Sequence, residues 1–588
     1  MLRERVEKRV LAVLRGRYPE GDLSGVRVEA AREKDHGDLA VNAALLLAKP
    51  LRRPPREIAA EIAGDLEKDP LFRRVEIAGP GFINLFLHAG AYHDVLARVI
   101  EKGRDFGRAE GPRRSRQQIE FVSANPTGPL NVVSARAAAV GDTLARLLEA
   151  TGIEVDREFY VNDQGSQVSH LAETILWYRE GAAGDFPAEG YRGEYVRDLA
   201  RESERVFAPL VRLDESGAAD DDIGPIVRAS AALASGEAGP AEEAARAVAG
   251  TLPAPVTREA FREILRVWAV EKMIRSQRET FEAFSVRYRT WFRESELHFS
   301  GEVEETLAEL DAAGHVYEKE GARWFRSTAF GDDEDRVIVR GSGEPTYFLA
   351  DIAYHRNKGK RGYDRVIDIL GPDHHGHIPR MMGAVSALGK EEGWLEIMII
   401  QQVNLLRGGE VVKMSKRAGE FVTLDDLIAE VGTDAARFFF LRLRPNTHLN
   451  FDLDLAKSKT MDNPVYYVQY AHARICSVFE HARAAGVDSG RMEGVDLGPL
   501  AHEGEIDLLR TLDAFPDTVE MAAATREPQR IPAYLQDLAA KFHTYYHKAK
   551  IVTDDESVTR ARLALVGGVR TVIRNGLDLL GVGAPEAM

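Results

Sequence analysis

The sequence predicts an α/β protein: a Rossmann-type parallel nucleotide-binding sheet that carries an insertion, with an N-terminal α+β domain and a C-terminal all-α helical bundle. Three observations lead there. At 588 residues the chain exceeds what one hydrophobic core supports, so several domains are expected. The stretch from Gln118 to Val161 reads as strand, Pro/Gly turn, helix and strand, which is how a parallel sheet opens. After Lys457 the pattern is helical nearly to the end.

Residues 1–110 form the first domain, with amphipathic helices over 3–16 and 56–66 and strands at Val26 to Ala30 and Phe82 to Leu87. Gly79-Pro80-Gly81 turns the chain into the second of these strands. The sheet domain occupies 111–457. Beyond a basic linker at Arg113, Arg114 and Arg116 it has a strand from Gln118 to Ser123, a helix from Ser134 to Ala150 and a strand from Val155 to Val161. Around 180–261 the chain turns Ala-, Gly- and acid-rich, with Asp214, Glu215, Asp220, Asp221 and Asp222 close together, and this reads as an insertion. Strands return at Val366 to Leu370 and Ile397 to Asn404. Residues 458–588 form the bundle, with Pro464, Pro516 and Pro532 marking helix boundaries.

Composition narrows the function. A 44% hydrophobic, 29% charged chain is an ordinary globular protein. The charged start and the lack of a long apolar run predict a cytoplasmic protein with no membrane contact. The single Cys476 excludes an internal disulfide and a cysteine-rich zinc site. A net charge of -16 argues against indiscriminate polyanion or DNA binding but not against one specific RNA.

Several short segments carry chemistry. Lys413-Met414-Ser415-Lys416-Arg417 follows a strand and a Gly408-Gly409 turn; lysines on such a loop can fold over a nucleotide and offset charge on a leaving pyrophosphate. The run Glu120 to Asp142 contains Asn125-Pro126-Thr127-Gly128-Pro129-Leu130-Asn131-Val132-Val133-Ser134 at a strand-to-helix turn, where a helix N-terminus offers N–H groups to phosphates. Asp373-His374-His375 follows a strand; a zinc site there ranks below a nucleotide loop, because adjacent histidines generally point apart. Tyr347 and Asp351 share one helical face, and a carboxylate beside an aromatic wall suits a guanidinium. Tyr545 and Tyr546 precede His547, Lys548 and Lys550, a mixture suited to stacking on unpaired bases.

Taken in order, these segments resemble the bacterial-type arginyl-tRNA synthetases, class I enzymes, over nearly the whole chain. Thr433 to Phe439 and Asn463 to Arg474 resemble the entry to their anticodon-binding domain, and His36 to Ala40 and Ile77 to Asn84 their N-terminal tRNA-contacting domain. The resemblance implies ligation of L-arginine to its tRNA through arginyl-adenylate, with ATP and Mg2+ as the substrate complex and no bound prosthetic group or resident metal. It implies catalytic roles for Lys413, Met414, Ser415, Lys416, Asn131 and Ser134, and arginine contacts from Glu120, Asn125, Tyr347 and Asp351. ATP contacts fall to Pro126, Gly128, Pro129, Val133, Asp373, His374 and His375, and tRNA contacts to Tyr545, Tyr546 and Met588; the expected state is a monomer. The chain departs from the family where Asn131, Val133 and Ser134 replace the His, Gly and His of the signature. The alternative is therefore an impaired, synthetase-like protein that binds tRNA or arginine.

Overall fold

The computed structural model describes residues 2–31, 36–111, 115–207, 212–213, 255–412, 422–487, 490 and 492–588. The N-terminal region runs α1 (Leu2–Arg17), β1 (Val28–Ala30), β2 (Leu39–Val41), α2 (Ala43–Leu51), α3 (Pro55–Leu66), β3 (Phe72–Ala78), β4 (Phe82–Leu87) and α4 (Ala89–Lys102). Leu2, Val6, Val10 and Leu14 recur every fourth residue along α1 and are its buried stripe. The four strands pair antiparallel in the order β1-β2-β4-β3. Before β2, Gly37 sits at φ +92°, and a Cβ there would lie 2.8 Å from the Leu85 carbonyl oxygen, so only glycine fits this crossing.

The main sheet begins with β5 (Arg116–Phe121), α5 (Val132–Ala150) and β6 (Glu154–Val161). It continues through α6 (Ser166–Arg179), α7 (Glu194–Phe207), β7 (Arg212–Leu213), β8 (Pro255–Val256) and α8 (Arg258–Ala283) to β9 (Thr290–Arg293). After α9 (Glu294–Phe299) and α10 (Glu302–Ala312), the strands β10 (Val316–Lys319), β11 (Ala322–Phe325) and β12 (Arg336–Val339) form a small antiparallel sheet. Then follow α11 (Tyr347–Lys360), β13 (Arg365–Leu370), α12 (Ile378–Ala387) and β14 (Leu395–Ile399). The five-stranded sheet has the order β14-β13-β5-β6-β9 and is parallel throughout. The first strand, β5, lies between the second, β6, and the fourth, β13, so the order reverses there and a crevice opens at the carboxyl ends of the strands.

β15 (Val403–Arg407), β16 (Glu410–Val411), α13 (Leu424–Val431), α14 (Thr433–Phe440), β17 (Leu449–Asp452) and α15 (Leu453–Lys457) lead out of this region. The bundle comprises α16 (Pro464–Ala484), α17 (Glu503–Ala524), α18 (Arg530–Lys548) and α19 (Glu556–Leu580). One core runs from the N-terminal domain through α5 into the bundle. Separate clusters sit around α11 and around α6 to α8.

Several expectations are corrected. The sheet resumes at β9, well before Val366, and is interrupted a second time by α9 through α11. Ile397 to Asn404 is two strands in two sheets, because the Gln401 N–H leaves the ladder for the Pro445 carbonyl. Pro516 lies inside α17 rather than at its end. Within the predicted insertion Glu194–Phe207 is helical, and Phe207 and Phe261 pack against Trp268 beyond it; most of the rest, including the acidic residues at 214–222, lies outside the described residues, as do Arg113 and Arg114. Among the described residues no helix is long and apolar enough to cross a membrane.

Candidate active site

A cleft of about 1380 Å³ opens at the strand reversal. Its lining includes Glu120, Asn125, Gly128, Pro129, Asn131, Val133 and Ser134 from the β5–α5 segment, and Asp351, His374 and His377 from the opposite side. Tyr160, Asn162, His355 and Asp368 form its floor and flank.

The β5–α5 connection begins with strain. Val122 has φ 71° and Ser123 φ 42°, and a β-branched residue in the left-handed region costs on the order of 1–3 kcal/mol. Two hydrogen bonds hold the turn: the Ser123 hydroxyl donates to Glu120 Oε1 at 2.8 Å and accepts the Tyr160 N–H at 3.1 Å. The Gln277 amide of α8 then donates to the carbonyls of Asn125 and Gly128. Tyr195 donates to the Thr127 carbonyl at 2.8 Å. Pro126 is buried; Asn125 reaches the cleft and donates to Gln167 at 2.7 Å.

Asn131 caps α5. Its Oδ1 accepts the Ser134 N–H at 3.0 Å and the Ser134 hydroxyl at 3.3 Å. This uses the acceptor of Asn131 and leaves its amide N–H groups and the helix dipole for an anion. Val133 lies half-buried beside them on the cleft wall. The expected lysine loop, Lys413, Met414, Ser415 and Lys416, lies outside the described residues. Its flanks are tied to the site, since Asn131 bridges Thr423 and the Leu424 N–H donates to the Leu130 carbonyl at 2.8 Å.

The opposite wall is acidic. Asp351 Oδ2 lies 3.3 Å from His377 Nε2. Glu294, at the start of α9, is 4% exposed; burial, then the charges of Asp351 and Asp163, push its carboxyl up to about 7, against the pull of the Tyr160 hydroxyl. With its amide turned so that nitrogen faces acceptors, Asn162 donates to Glu294 at 3.1 Å. Tyr347 is 56% exposed, with its hydroxyl approaching Gly165 at the rim.

Beneath both walls lies a buried ionic network. Lys358 Nζ is 2.7 Å from Glu120 Oε2 and 2.7 Å from Asp368 Oδ1. His355 joins Asp368 through Nε2 at 2.8 Å and the Asp351 carbonyl through Nδ1 at 2.8 Å. Burial opposes the charge on Lys358, but Asp368 and Glu120 outweigh it and keep it an ammonium. Burial pushes Glu120 up; Asp368, despite burial, is held low by Lys358 and His355.

The structure thus brings Glu120, Asn125, Gly128, Pro129, Asn131, Val133, Ser134, Asp351 and His374 into one cleft. Others need correction. Glu120 lines the cleft and already carries one bond on each oxygen, to Lys358 and to Ser123. Asp373 and His375 are exposed and off the cleft lining, and it is His377 that meets Asp351. Tyr545 is 2% exposed with its hydroxyl on Glu505 at 2.9 Å, so it offers no ring face to a base. Tyr546 is half-buried against the bundle core, and Arg474 stacks on it at 4.9 Å and on Tyr470 at 4.8 Å; Met588 is 53% exposed. Sequence reasoning missed Glu294, Lys358, His355 and His377. The signal for Asp368 and Lys358 was a lone acid in an apolar strand and a lysine on the Asp351 face of its helix.

Comparison with known proteins adds a family to this geometry. Residues 2–87 match the family described as Arginyl tRNA synthetase N terminal domain. Residues 242–441 match tRNA synthetases class I (R), catalytic domain, and 468–588 the DALR anticodon binding domain. An arginine–tRNA ligase of Desulforamulus reducens is 44% identical over 98% of this chain and 96% of its own. One of Thioalkalivibrio sulfidiphilus is 44% identical over 97% of each. A crystal structure of an arginyl-tRNA synthetase from Campylobacter jejuni superposes with a TM-score of 0.72 at 33% identity, over 84% of this chain and 99% of that one. The Thermus thermophilus arginyl-tRNA synthetase shares the fold, with a TM-score of 0.69, 24% identity and 100% of both chains covered.

Proposed function

This chain belongs to the arginyl-tRNA synthetase family and is an arginine–tRNA ligase; from that premise we propose that the cleft at the carboxyl ends of β5 and β13 is where arginine, ATP and the tRNA terminus meet. The observation that carries this reading is the pairing of two features across one cleft. Asp351 lines the wall across from the N-terminus of α5, with the buried Glu294 held against the lining residue Asn162, so a cationic side chain and an anionic phosphate chain find opposite partners.

In this reading Asp351 and Glu294 take the guanidinium, with Tyr347 and Tyr160 as aromatic walls. Asn125, on the loop held by Gln277, takes the polar end of arginine. Gly128, Pro129 and Val133 form the surface against which ATP lies, and Asn131, Ser134 and His374 donate to its phosphates. ATP enters as its magnesium complex. The arginine carboxylate attacks the α-phosphorus, pyrophosphate leaves, and Lys413 and Lys416 offset the charge that develops on it. A ribose hydroxyl of the terminal adenosine then takes the arginyl group from the adenylate. No covalent enzyme intermediate is involved; the protein contributes positioning and charge. The Arg474, Tyr470 and Tyr546 face, with Met588, takes unpaired anticodon bases. The working form is a cytoplasmic monomer without DNA affinity.

The test is arginine-dependent charging of tRNA with labelled arginine, with and without ATP, on the purified chain and on Lys416→Ala. Charging that the variant loses supports the assignment. Binding of tRNA without charging would favour the impaired reading that the Asn131, Val133 and Ser134 substitutions raise.

A further inference from the structure

We propose that Lys358 is a positioning residue for the arginine subsite: one buried ammonium sets both walls, the Val122–Ser123 turn through Glu120 and the Asp351 turn of α11 through Asp368 and His355. This rests on the reading of the cleft given above.

The arrangement is a poor one for stability alone. Glu120 and Asp368 are direct partners in the parallel register of β5 and β13, so two like charges sit side by side in the centre of the sheet. Such pairs oppose strand pairing, and apolar residues would pack there at lower cost. Lys358, with no solvent exposure, donates to both carboxylates.

Each carboxylate then passes the constraint on. The second oxygen of Glu120 accepts the Ser123 hydroxyl, which in turn accepts the Tyr160 N–H, and these bonds hold Val122 and Ser123 in the left-handed region. That turn delivers Asn125 to the cleft. The second oxygen of Asp368 meets His355 Nε2, while His355 Nδ1 meets the Asp351 carbonyl. Both ring nitrogens thus lie against oxygens held by the fold. The imidazole thereby fixes the helical turn from which Asp351 projects.

The surroundings complete the charge balance. The Tyr354 ring lies 4.3 Å from the Lys358 ammonium, on its own helix. Glu158 of β6 acts on Lys358 from across the sheet and is itself held by Tyr354 and Arg361. Tyr160 lies within reach of Glu120, and Tyr288 packs against Phe121 behind it.

The experiment uses the full chain, with L-arginine affinity by calorimetry and steady-state KM values for arginine and ATP. In Lys358→Met the two carboxylates are left to repel each other until a proton is taken up between them. Arginine KM is expected to rise at least 30-fold at pH 8, with ATP KM held within threefold, and the defect to shrink at pH 6 as the shared proton is taken up. Adding Glu120→Gln, whose amide can donate to Asp368 while its oxygen still accepts from Ser123, should recover at least tenfold at pH 8.

A structural role alone would lower both affinities together and would not respond to pH in this way. If Lys358→Met does not fold, Ser123→Ala leaves the buried charges untouched and should raise arginine KM five- to tenfold. An unchanged arginine KM in folded Lys358→Met or in Ser123→Ala, or a defect equal at both pH values without rescue, overturns the proposal. Charging by the wild-type protein separately tests the reading of the cleft.

Discussion

Asp142 on α5 and Arg437 on α14 form a buried ion pair at 2.7 Å, with side chains 2% and 0% exposed. Arg437 also donates to the carbonyls of Leu580 and Phe284, and Arg146 and Arg157 converge on the same carboxylate. The helix whose N-terminus lines the cleft is therefore tied to the C-terminal end of α19. Burial alone would raise the Asp142 carboxyl, but Arg437, Arg146 and Arg157 outweigh it and hold it below the ordinary range. A depressed carboxyl contributes stability above its unfolded pKa of about 3.9 and loses it as pH falls through the lower folded value. Arg437→Met leaves a buried carboxylate short of a partner and should cost about 3–5 kcal/mol. Urea unfolding at pH 7 measures this; a loss under 1 kcal/mol contradicts it.

Glu294 gives a pH prediction of the opposite sign. Its carboxyl is pushed up to about 7 first by burial, then by Asp351 and Asp163. A raised folded pKa means its contribution to stability is full below the unfolded value, near 4.3, and is lost as pH rises through about 7. A guanidinium reverses this by favouring the ionised form. Arginine KM should therefore fall as pH rises from 6 to 8, and the Tm gain from saturating arginine should be larger at pH 8. Glu294→Gln should flatten both trends and raise arginine KM on the order of 10²-fold. A pH-independent KM in the wild-type chain would refute the assignment.

What the sequence made legible follows from which interactions are local. The opening β5–α5–β6 unit, the bundle and the cleft-lining segment were read because strand alternation, turn chemistry and helix caps lie within a few residues of one another. β9 was missed because a four-residue strand, Thr290 to Arg293, carries no period long enough to see. Ile397 to Asn404 read as one strand because the departure at Gln401 is made by Pro445, far along the chain. Glu294 sits in an Arg-Glu-Ser-Glu run with no local signal to single it out; only docking against Tyr160 and Asn162 buries it. The resemblance gives Glu120 a contact with arginine, while its tie to Lys358, 238 residues away, leaves no trace in the local sequence. Tyr545 and Tyr546 look alike in sequence, and the helix phase alone decides which one Glu505 takes inward.

The Val133 and Asn131 substitutions predict separable effects. A side chain at Val133 occupies cleft wall in the first turn of α5, so Val133→Gly should lower ATP KM several-fold while costing about 1 kcal/mol of helix propensity. Asn131→Ala removes the cap that accepts the Ser134 N–H and should cost about 1 kcal/mol while raising ATP KM. Steady-state kinetics with thermal melts resolves the two. An ATP KM that moves with Tm in both variants would mean that these residues act only on the helix.

The adjacent tyrosines of α18 offer a control within one turn of helix. Tyr545 is buried and donates to Glu505, which also accepts from Arg562 at 2.9 Å and from the Ala501 and His502 N–H groups at 3.0 Å. Tyr545→Phe deletes one bond to a buried carboxylate and should cost about 1–3 kcal/mol with little effect on tRNA affinity. Tyr546 is half-buried with its ring beside Arg474, so Tyr546→Ala should weaken tRNA binding by about 1–3 kcal/mol, the stacking contribution of one base, and leave arginine KM unchanged. Filter binding of tRNA with chemical unfolding separates the outcomes. Equal loss of tRNA affinity in both variants would place the RNA contact elsewhere on the bundle.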